Sequence, residues 1–299
     1  MTTREKIIAR AKEAGFDFCG FAPARNISPE GERYSALVAE EQYAGLGYLN
    51  RDPGRRTDPT KVLPSAKTVI ALLLNYYQPL LPSDKFIISR YAYGKDYHEV
   101  LKSCMMNLVD FLKQECGSSE SKAFVDSGPV LEKGWASHCG LGWQGKNTIM
   151  INKNQGSFFF IGIILTDLLI EPSVPETDHC GNCTRCIEAC PMGALTPYHL
   201  DPTKCIAYLN IDLEIPPDKA EKFGGRIFGC DICQDACPFN HKAVPATHPD
   251  MQPGQKLASM NRESWINLTK EEFDGMFSIS PVKRRGYDRF MNSIRILDI

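Results

Sequence analysis

Hydrophobic and polar positions along the first 170 residues switch between two periods. From about Arg4 to Ala14, "REKIIARAKEA" places apolar residues three to four apart, the repeat of an amphipathic helix. "FDFCGFA" follows as a short strand, and a helical stretch is predicted from about Pro29 to Tyr43. "TVIALLLNY" from Thr68 is apolar and β-branched without a break, which predicts a strand covered on both faces. The helical period returns from about Tyr97 to Gln114. "KAFVD" at Lys122 to Asp126 and the stretches near Thr148 to Asn152 and Ser157 to Thr166 read as further strands. This is the pattern of an α/β or α+β domain ending near Ile170. "IEPSVPETDH", with two prolines and three acidic residues, marks a boundary, and "KAVPATHPDMQPG" marks a second. Two helices, roughly Thr269 to Phe277 and Pro281 to Leu297, close the chain. The expected division is residues 1–170, 171–245 and 246–299, with an α+β class overall.

Composition narrows the class without naming a chemistry. The chain has 299 residues, 43% of them hydrophobic, enough for a sizeable core in one large or two modest domains. A formal net charge of -2 does not mark the chain as a nucleic-acid binder, so any such contact must come from a local patch. "MTTREKIIARAKEAG" lacks the apolar centre and cleavage site of a secretory signal. The longest apolar run, "FFFIGIIL" from Phe158, is too short to cross a bilayer as a helix. A cytoplasmic protein with no membrane segment is expected. In that reducing compartment, twelve cysteines argue for metal and against a disulfide framework.

Seven of those cysteines fall in two bursts. "HCGNCTRCIEACP" from His179 is Cys-x2-Cys-x2-Cys-x3-Cys-Pro, and "GCDICQDACP" repeats it imperfectly with one thiol fewer. In two-cluster ferredoxins the first three thiolates of such a run hold one 4Fe–4S cube and the fourth reaches the other. Two cubes need eight ligands, and Cys205 in "DPTKCIAYL" is the available eighth. The assignment is Cys180, Cys183, Cys186 and Cys237 to one cluster, and Cys190, Cys205, Cys230 and Cys233 to the other. Structural zinc on two Cys-x2-Cys pairs is the competing reading, but it strands Cys186, Cys190 and Cys237. Cys19, Cys104, Cys116 and Cys139 read as ordinary buried thiols.

Beside the "KAFVD" strand lies "VDSGPVLEKGWASHCGLGWQGKNTIMI", with five glycines, two of the three tryptophans, and Asp126 at a strand end. Strand ends are where ligands bind in open α/β sheets, and glycines allow close approach to the backbone. The plainer alternative is a helix starting at Asp126-Ser127-Gly128-Pro129, with Glu132 and Lys133 as solvated helix residues and His138 and Cys139 at a packed helix end. No Gly-x-Gly-x-x-Gly or Walker sequence is present.

Together, "GYLNRDPGRRTDPTKVLPSAKTVIALLLNY", "SRYAYGKDYHEVL", "VDSGPVLEKGWASHCGLGWQGKN" and both cysteine bursts resemble the epoxyqueuosine reductases, over nearly the whole chain. The resemblance implies a cobalamin-binding amino-terminal domain, in a fold related to reductive dehalogenases, followed by a ferredoxin-like domain with two 4Fe–4S clusters. It implies an oxidoreductase that reduces epoxyqueuosine to queuosine at the wobble position of tRNA. The family's proton-donating aspartate falls on Asp126. Cobalamin contacts fall on Arg56, Ser89, Asp126, Gly145, Asn147, Met150, Ile161 and Lys204. The resemblance also implies tRNA carrying epoxyqueuosine and an external low-potential electron donor as partners, and a monomer is expected. A carboxyl group beside a corrin and apolar walls is expected to have a raised pKa and stay protonated near neutrality. Many family members carry a further carboxy-terminal domain of helical repeats that this sequence lacks. Here the last helix offers Lys283, Arg284, Arg285, Arg289 and Arg295, either as phosphate contacts or as a solvated face. Two alternatives stay open: an electron-transfer module with no catalytic site of its own, and a cytoplasmic reductive dehalogenase.

Overall fold

The computed structural model describes residues 1–126 and 128–299. The helical start expected at Asp126 partly falls on Ser127, which lies outside the described residues. The helix itself begins later, at Glu132, and runs to His138.

Thr68–Asn75 is buried at all eight positions because it runs through the middle of a four-stranded sheet. It pairs antiparallel with Phe18–Pro23 on one side and with Phe159–Thr166 on the other, and Ser121–Phe124 extends the sheet beyond Phe159–Thr166. Every pairing is antiparallel, so the first part of the chain is α+β. Alternate residues of the central strand feed two cores. Ile70, Leu72 and Leu74 pack under the helices Thr3–Glu13 and Tyr97–Gln114, with Ile7, Leu101 and Leu108. Val69, Ala71 and Leu73 face the opposite layer, where Trp135 and Ala136 of the Glu132–His138 helix and its capping residue Cys139 cover the sheet. That cover is close: a Cβ on Gly20 would meet the Cys139 carbonyl oxygen at 2.0 Å. Glycine at position 20 is what lets the helix end rest on the strand.

A third core joins Phe86, Ile88 and Tyr93 to Phe223, Phe228 and Trp265, and to the closing helices through Phe277 and Phe290. There Ile87–Ile88 pairs in parallel with Arg226–Phe228. The closing helices run from Lys270 to Phe277 and from Tyr287 to Leu297. The second starts later than its periodicity suggests, because Pro281–Arg285 is a 3-10 turn and Gly286, at φ +74°, breaks the path. No helix among the described residues is long and apolar enough to cross a membrane.

Candidate functional site

The fold gathers the cysteine bursts against one end of the sheet. Cys180, Cys183, Cys186 and Cys237 line one cavity of about 60 Å³, together with Asn147 and Phe239. Trp143 Nε1 donates to Cys180 Sγ at 3.5 Å. The thiols of Cys190, Cys205, Cys230 and Cys233 form a second group. Cys190 is an electrostatic neighbour of Cys205, and both Cys205 and Cys230 act on Cys233. Cys186 also acts on Cys233, so the two groups adjoin. Burial pushes the Cys230 thiol up to about 12, and burial followed by mutual repulsion raises Cys186. Thiols packed this closely become thiolates only around a strongly cationic centre. Among the described residues no three metal-binding side chains converge on a single-ion site. Quartets spread around a cavity suit a cube better than one zinc ion.

The second burst is tied to the sheet by buried polar groups. Arg90 and Asp231, each 7% exposed, pair at 3.1 Å, and Arg90 Nε donates to the Gln78 carbonyl at 3.0 Å. Ser89 Oγ donates to Asp231, and Gln234 Nε2 donates to Tyr76 Oη at 3.2 Å and to the Ser157 carbonyl at 3.1 Å. Tyr76 in turn lines the neighbouring cleft.

That cleft, of about 220 Å³, has aromatic and aliphatic walls from Tyr76, Tyr91, Tyr97, Phe160 and Ile161, with Asp126 and Glu132 as its carboxyl groups. A larger one of about 490 Å³ adjoins it, sharing Tyr91, Tyr97 and Asp126 and adding Tyr48, Asp212 and Arg284. Asp126 stands at φ +53°. Its Oδ2 accepts from Tyr97 Oη at 2.9 Å and lies 2.8 Å from His98 Nε2. The other ring nitrogen of His98 lies 2.7 Å from Asp96 Oδ1, the side chain that caps the Tyr97–Gln114 helix. A carboxylate at each nitrogen favours the form in which both donate, the imidazolium. Its pKa is accordingly raised despite burial.

The protein's own neighbours of Asp126 act against the expected protonation. The His98 hydrogen bond first, then the Tyr97 bond and the charge of Arg284, hold its carboxyl below the usual range against desolvation. Its side chain is 50% exposed, too open for burial to win. Glu132 is the carboxyl that burial raises, to about 8, with the charge of Asp126 adding to the effect. It is partly buried on the cleft and not a solvated helix residue. Lys133 is exposed as read, and its Nζ donates to the Thr148 carbonyl at 2.9 Å. His138 lies 2.9 Å from Glu30 and Cys139 is fully buried, both at a packed helix end.

The other sequence candidates are dispersed. Ile161 lines the cleft with Asp126. Arg56 is buried, donates to the carbonyls of Gly128 and Tyr48 at 3.2 Å each, and leaves Nε without a partner among the described residues. Gly145 and Asn147 form the turn beside the thiol cavity, with Asn147 Nδ2 3.4 Å from the Cys233 carbonyl. Ser89 faces Asp231, Met150 sits in the core, and Lys204 pairs on the surface with Asp201 at 3.0 Å. Of the closing basic residues, Arg285 is turned inward to the carbonyls of Ile211 and Leu213. Arg289 pairs with Glu214 at 2.9 Å. Lys283, Arg284 and Arg295 remain exposed, and Arg284 lines the larger adjoining cleft. Sequence reasoning gave no role to Tyr97, His98 or Tyr91. The available signal was the Asp-Tyr-His run at a helix start, which places two polar rings on a first turn.

The family model described as epoxyqueuosine reductase QueG, DUF1730, matches residues 56–127, and one described as a 4Fe-4S double cluster binding domain matches residues 179–240. The epoxyqueuosine reductase of Leadbetterella byssophila is 42% identical over 94% of this chain and 93% of its own. That of Cellulophaga algicola is 40% identical over 99% and 100%. An epoxyqueuosine reductase crystallised with an epoxyqueuosine-modified tRNA-Tyr stem loop superposes with a TM-score of 0.89 at 30% identity, over 98% of this chain and 80% of that one. A reductive dehalogenase shares the fold at a TM-score of 0.50 and 15% identity, over 98% of this chain and 37% of that one.

Proposed function

The chain belongs to the epoxyqueuosine reductase family, and from that premise we propose that it reduces epoxyqueuosine to queuosine in tRNA, with Asp126 as the proton donor. One observation carries the site assignment. A single carboxylate at a strand end meets an imidazolium and a tyrosine on an aromatic cleft that adjoins the cysteine-rich loops.

Removing an epoxide oxygen consumes two electrons and two protons and gives an alkene and water. Two 4Fe–4S clusters, on the cysteine quartets assigned above, and a cobalamin in the cleft would supply the electrons one at a time at low potential. The aromatic walls of the cleft, Tyr76, Tyr91, Tyr97 and Phe160, suit the face of a corrin. Ile161 and Asp126 on the cleft lining, with Arg56 bonded to the Gly128 and Tyr48 carbonyls, are the residues we assign to holding it, and Gly145 and Asn147 stand at the turn beside the thiol cavity. Ser89, Met150 and Lys204 stay in the proposed contact set at positions set back from the cleft lining.

The proton rests on His98 Nε2, hydrogen-bonded to Asp126 Oδ2. Asp126 takes it as negative charge grows on the epoxide oxygen and delivers it there, and the second proton, which completes the departing water, enters from solvent, to which Asp126 is half exposed. Tyr97, its ring stacked on Phe160 at 4.3 Å and its hydroxyl on the same Oδ2, fixes the direction of the carboxylate. Arg284, exposed on the adjoining cleft, is the cation placed to meet an incoming phosphate.

The remaining assignments are a cytoplasmic monomer served by an external low-potential donor, divided into a cobalamin-binding unit (1–170), a two-cluster unit (171–245) and a closing extension (246–299). The test is anaerobic reconstitution with iron, sulfide and cobalamin, followed by nucleoside analysis of tRNA carrying epoxyqueuosine. Iron near two cubes per chain, bound corrin and new queuosine are expected. Zinc in place of iron, or unaltered tRNA with corrin bound, would sink the proposal.

A further inference from the structure

The proton path above leaves one carboxyl of the cleft without a task. Glu132 Oε1 accepts the backbone N–H of Asp126 across six residues and so ties the end of the Ser121–Phe124 strand to the start of the next helix. The two ends of this tie differ in firmness. Glu132 is the first residue of a helix whose Trp135 and Ala136, with the capping Cys139, are buried against the sheet, and Gly20 lets that helix end sit in contact with the first strand. Asp126 sits in a loop, in the left-handed region where a residue with a Cβ persists only if its surroundings hold it. Its carboxylate reaches Tyr97 and His98 on another helix, so the direction of its backbone decides whether that reach succeeds.

We propose that Glu132 is the positioning residue of this site. By accepting the Asp126 N–H it holds the loop so that the Asp126 carboxylate faces the cleft, within reach of Tyr97 and His98. Arg56 supports the same loop from the Gly128 carbonyl, but it grips two residues further on and does not set the direction of Asp126. What Glu132 supplies is an acceptor oxygen on a fixed helix. A glutamine at 132 keeps that oxygen, and an alanine does not.

The proposal rests on the reductase reading only for its kinetic readout. A crystal structure of reconstituted Glu132→Ala should show the Asp126 carboxylate out of hydrogen-bond distance of Tyr97 Oη and His98 Nε2. Its kcat on epoxyqueuosine-tRNA should fall roughly 10- to 100-fold, with KM within about twofold, as expected of a misplaced catalytic group. Glu132→Gln should keep Asp126 in place and retain kcat within about threefold. Iron content should match the parent in both, and corrin content should match it in Glu132→Gln. If Glu132→Ala loses its clusters, Glu132→Asp, one methylene shorter, carries the same test with an intermediate displacement. Asp126 unmoved in Glu132→Ala overturns the proposal. So does a Glu132→Gln variant as slow as the alanine variant, because acidity and not acceptance would then matter. If Asp126 moves as expected but the parent protein makes no queuosine, the reductase reading fails and the positioning role stands.

Discussion

The thiol cavity takes three of its four sulfurs from a single seven-residue loop, Cys180 to Cys186, and the fourth from Cys237. The carboxylate cleft takes Asp126 from a strand end, His98 from a helix start 28 residues earlier, and walls from four further stretches of chain. Their electrostatics differ as well. In the thiol groups the resolved shifts run one way, upward with burial. In the cleft two carboxyls six residues apart are driven in opposite directions, Asp126 down by donors and Glu132 up by burial. A site that needs one repeated ligand can be written as spacing. A site that needs two acids in different states has to be assembled from different environments.

Removing one thiolate tests the first half of that contrast and should have the largest effect. Cys233→Ser should lower bound iron from about eight to about four per chain and abolish turnover, because an incomplete quartet loses its cube. Iron analysis and visible absorbance will check this; retention of full iron would return Cys233 to the ordinary buried thiols. Asp126→Asn tests the second half. It keeps the shape and the Tyr97 bond but carries no transferable proton, so kcat should fall by about 10²–10⁴ while corrin and tRNA still bind. An unchanged kcat would assign the donor elsewhere.

The link between the two sites should show in stability. Arg90→Met leaves Asp231 buried without its cation beside Cys230 and should cost about 3–5 kcal/mol in denaturant unfolding. A loss under about 1 kcal/mol would show that Ser89 and the Arg90 amide hold Asp231 without help.

The smallest effect concerns the His98–Asp126 pair. His98 is raised above its ordinary 6.5, so its contribution is complete below about pH 6.5 and fades as pH rises through the raised value. Asp126 is held below 3.8, so its contribution is complete above about pH 4 and is lost on acidification through the lowered value. The ion pair therefore stabilises the fold most between those limits. His98→Gln should reduce stability by about 0.5–1 kcal/mol at pH 5.5, the partial exposure of Asp126 keeping the figure low, and by much less at pH 9. Equal losses at both pH values would mean that the ring is not charged.

Much of the fold could be read from the sequence because its signals are local. The run at Thr68 predicted a central strand and forms one, since an unbroken apolar segment is stable only with both faces covered. The Tyr97–Gln114 helix follows its periodicity from end to end. The closing basic residues show where local reading stops. A helical face of arginines looks solvated in sequence, yet Arg285 is buried because the carbonyls at 211 and 213 happen to converge there. Glu132 failed in the same way, read as solvated and found on the cleft.

The sequence by itself determined the cysteine spacing, the strand and helix periods, and the presence of a carboxylate at a strand end. These follow from bonds along the chain and from period-specific burial. Tertiary structure alone decided that His98 and Tyr97 meet Asp126, that the meeting keeps Asp126 ionised, and that the raised acid is Glu132. Ionisation depends on neighbours through space, and the sheet and its covering helices choose those neighbours.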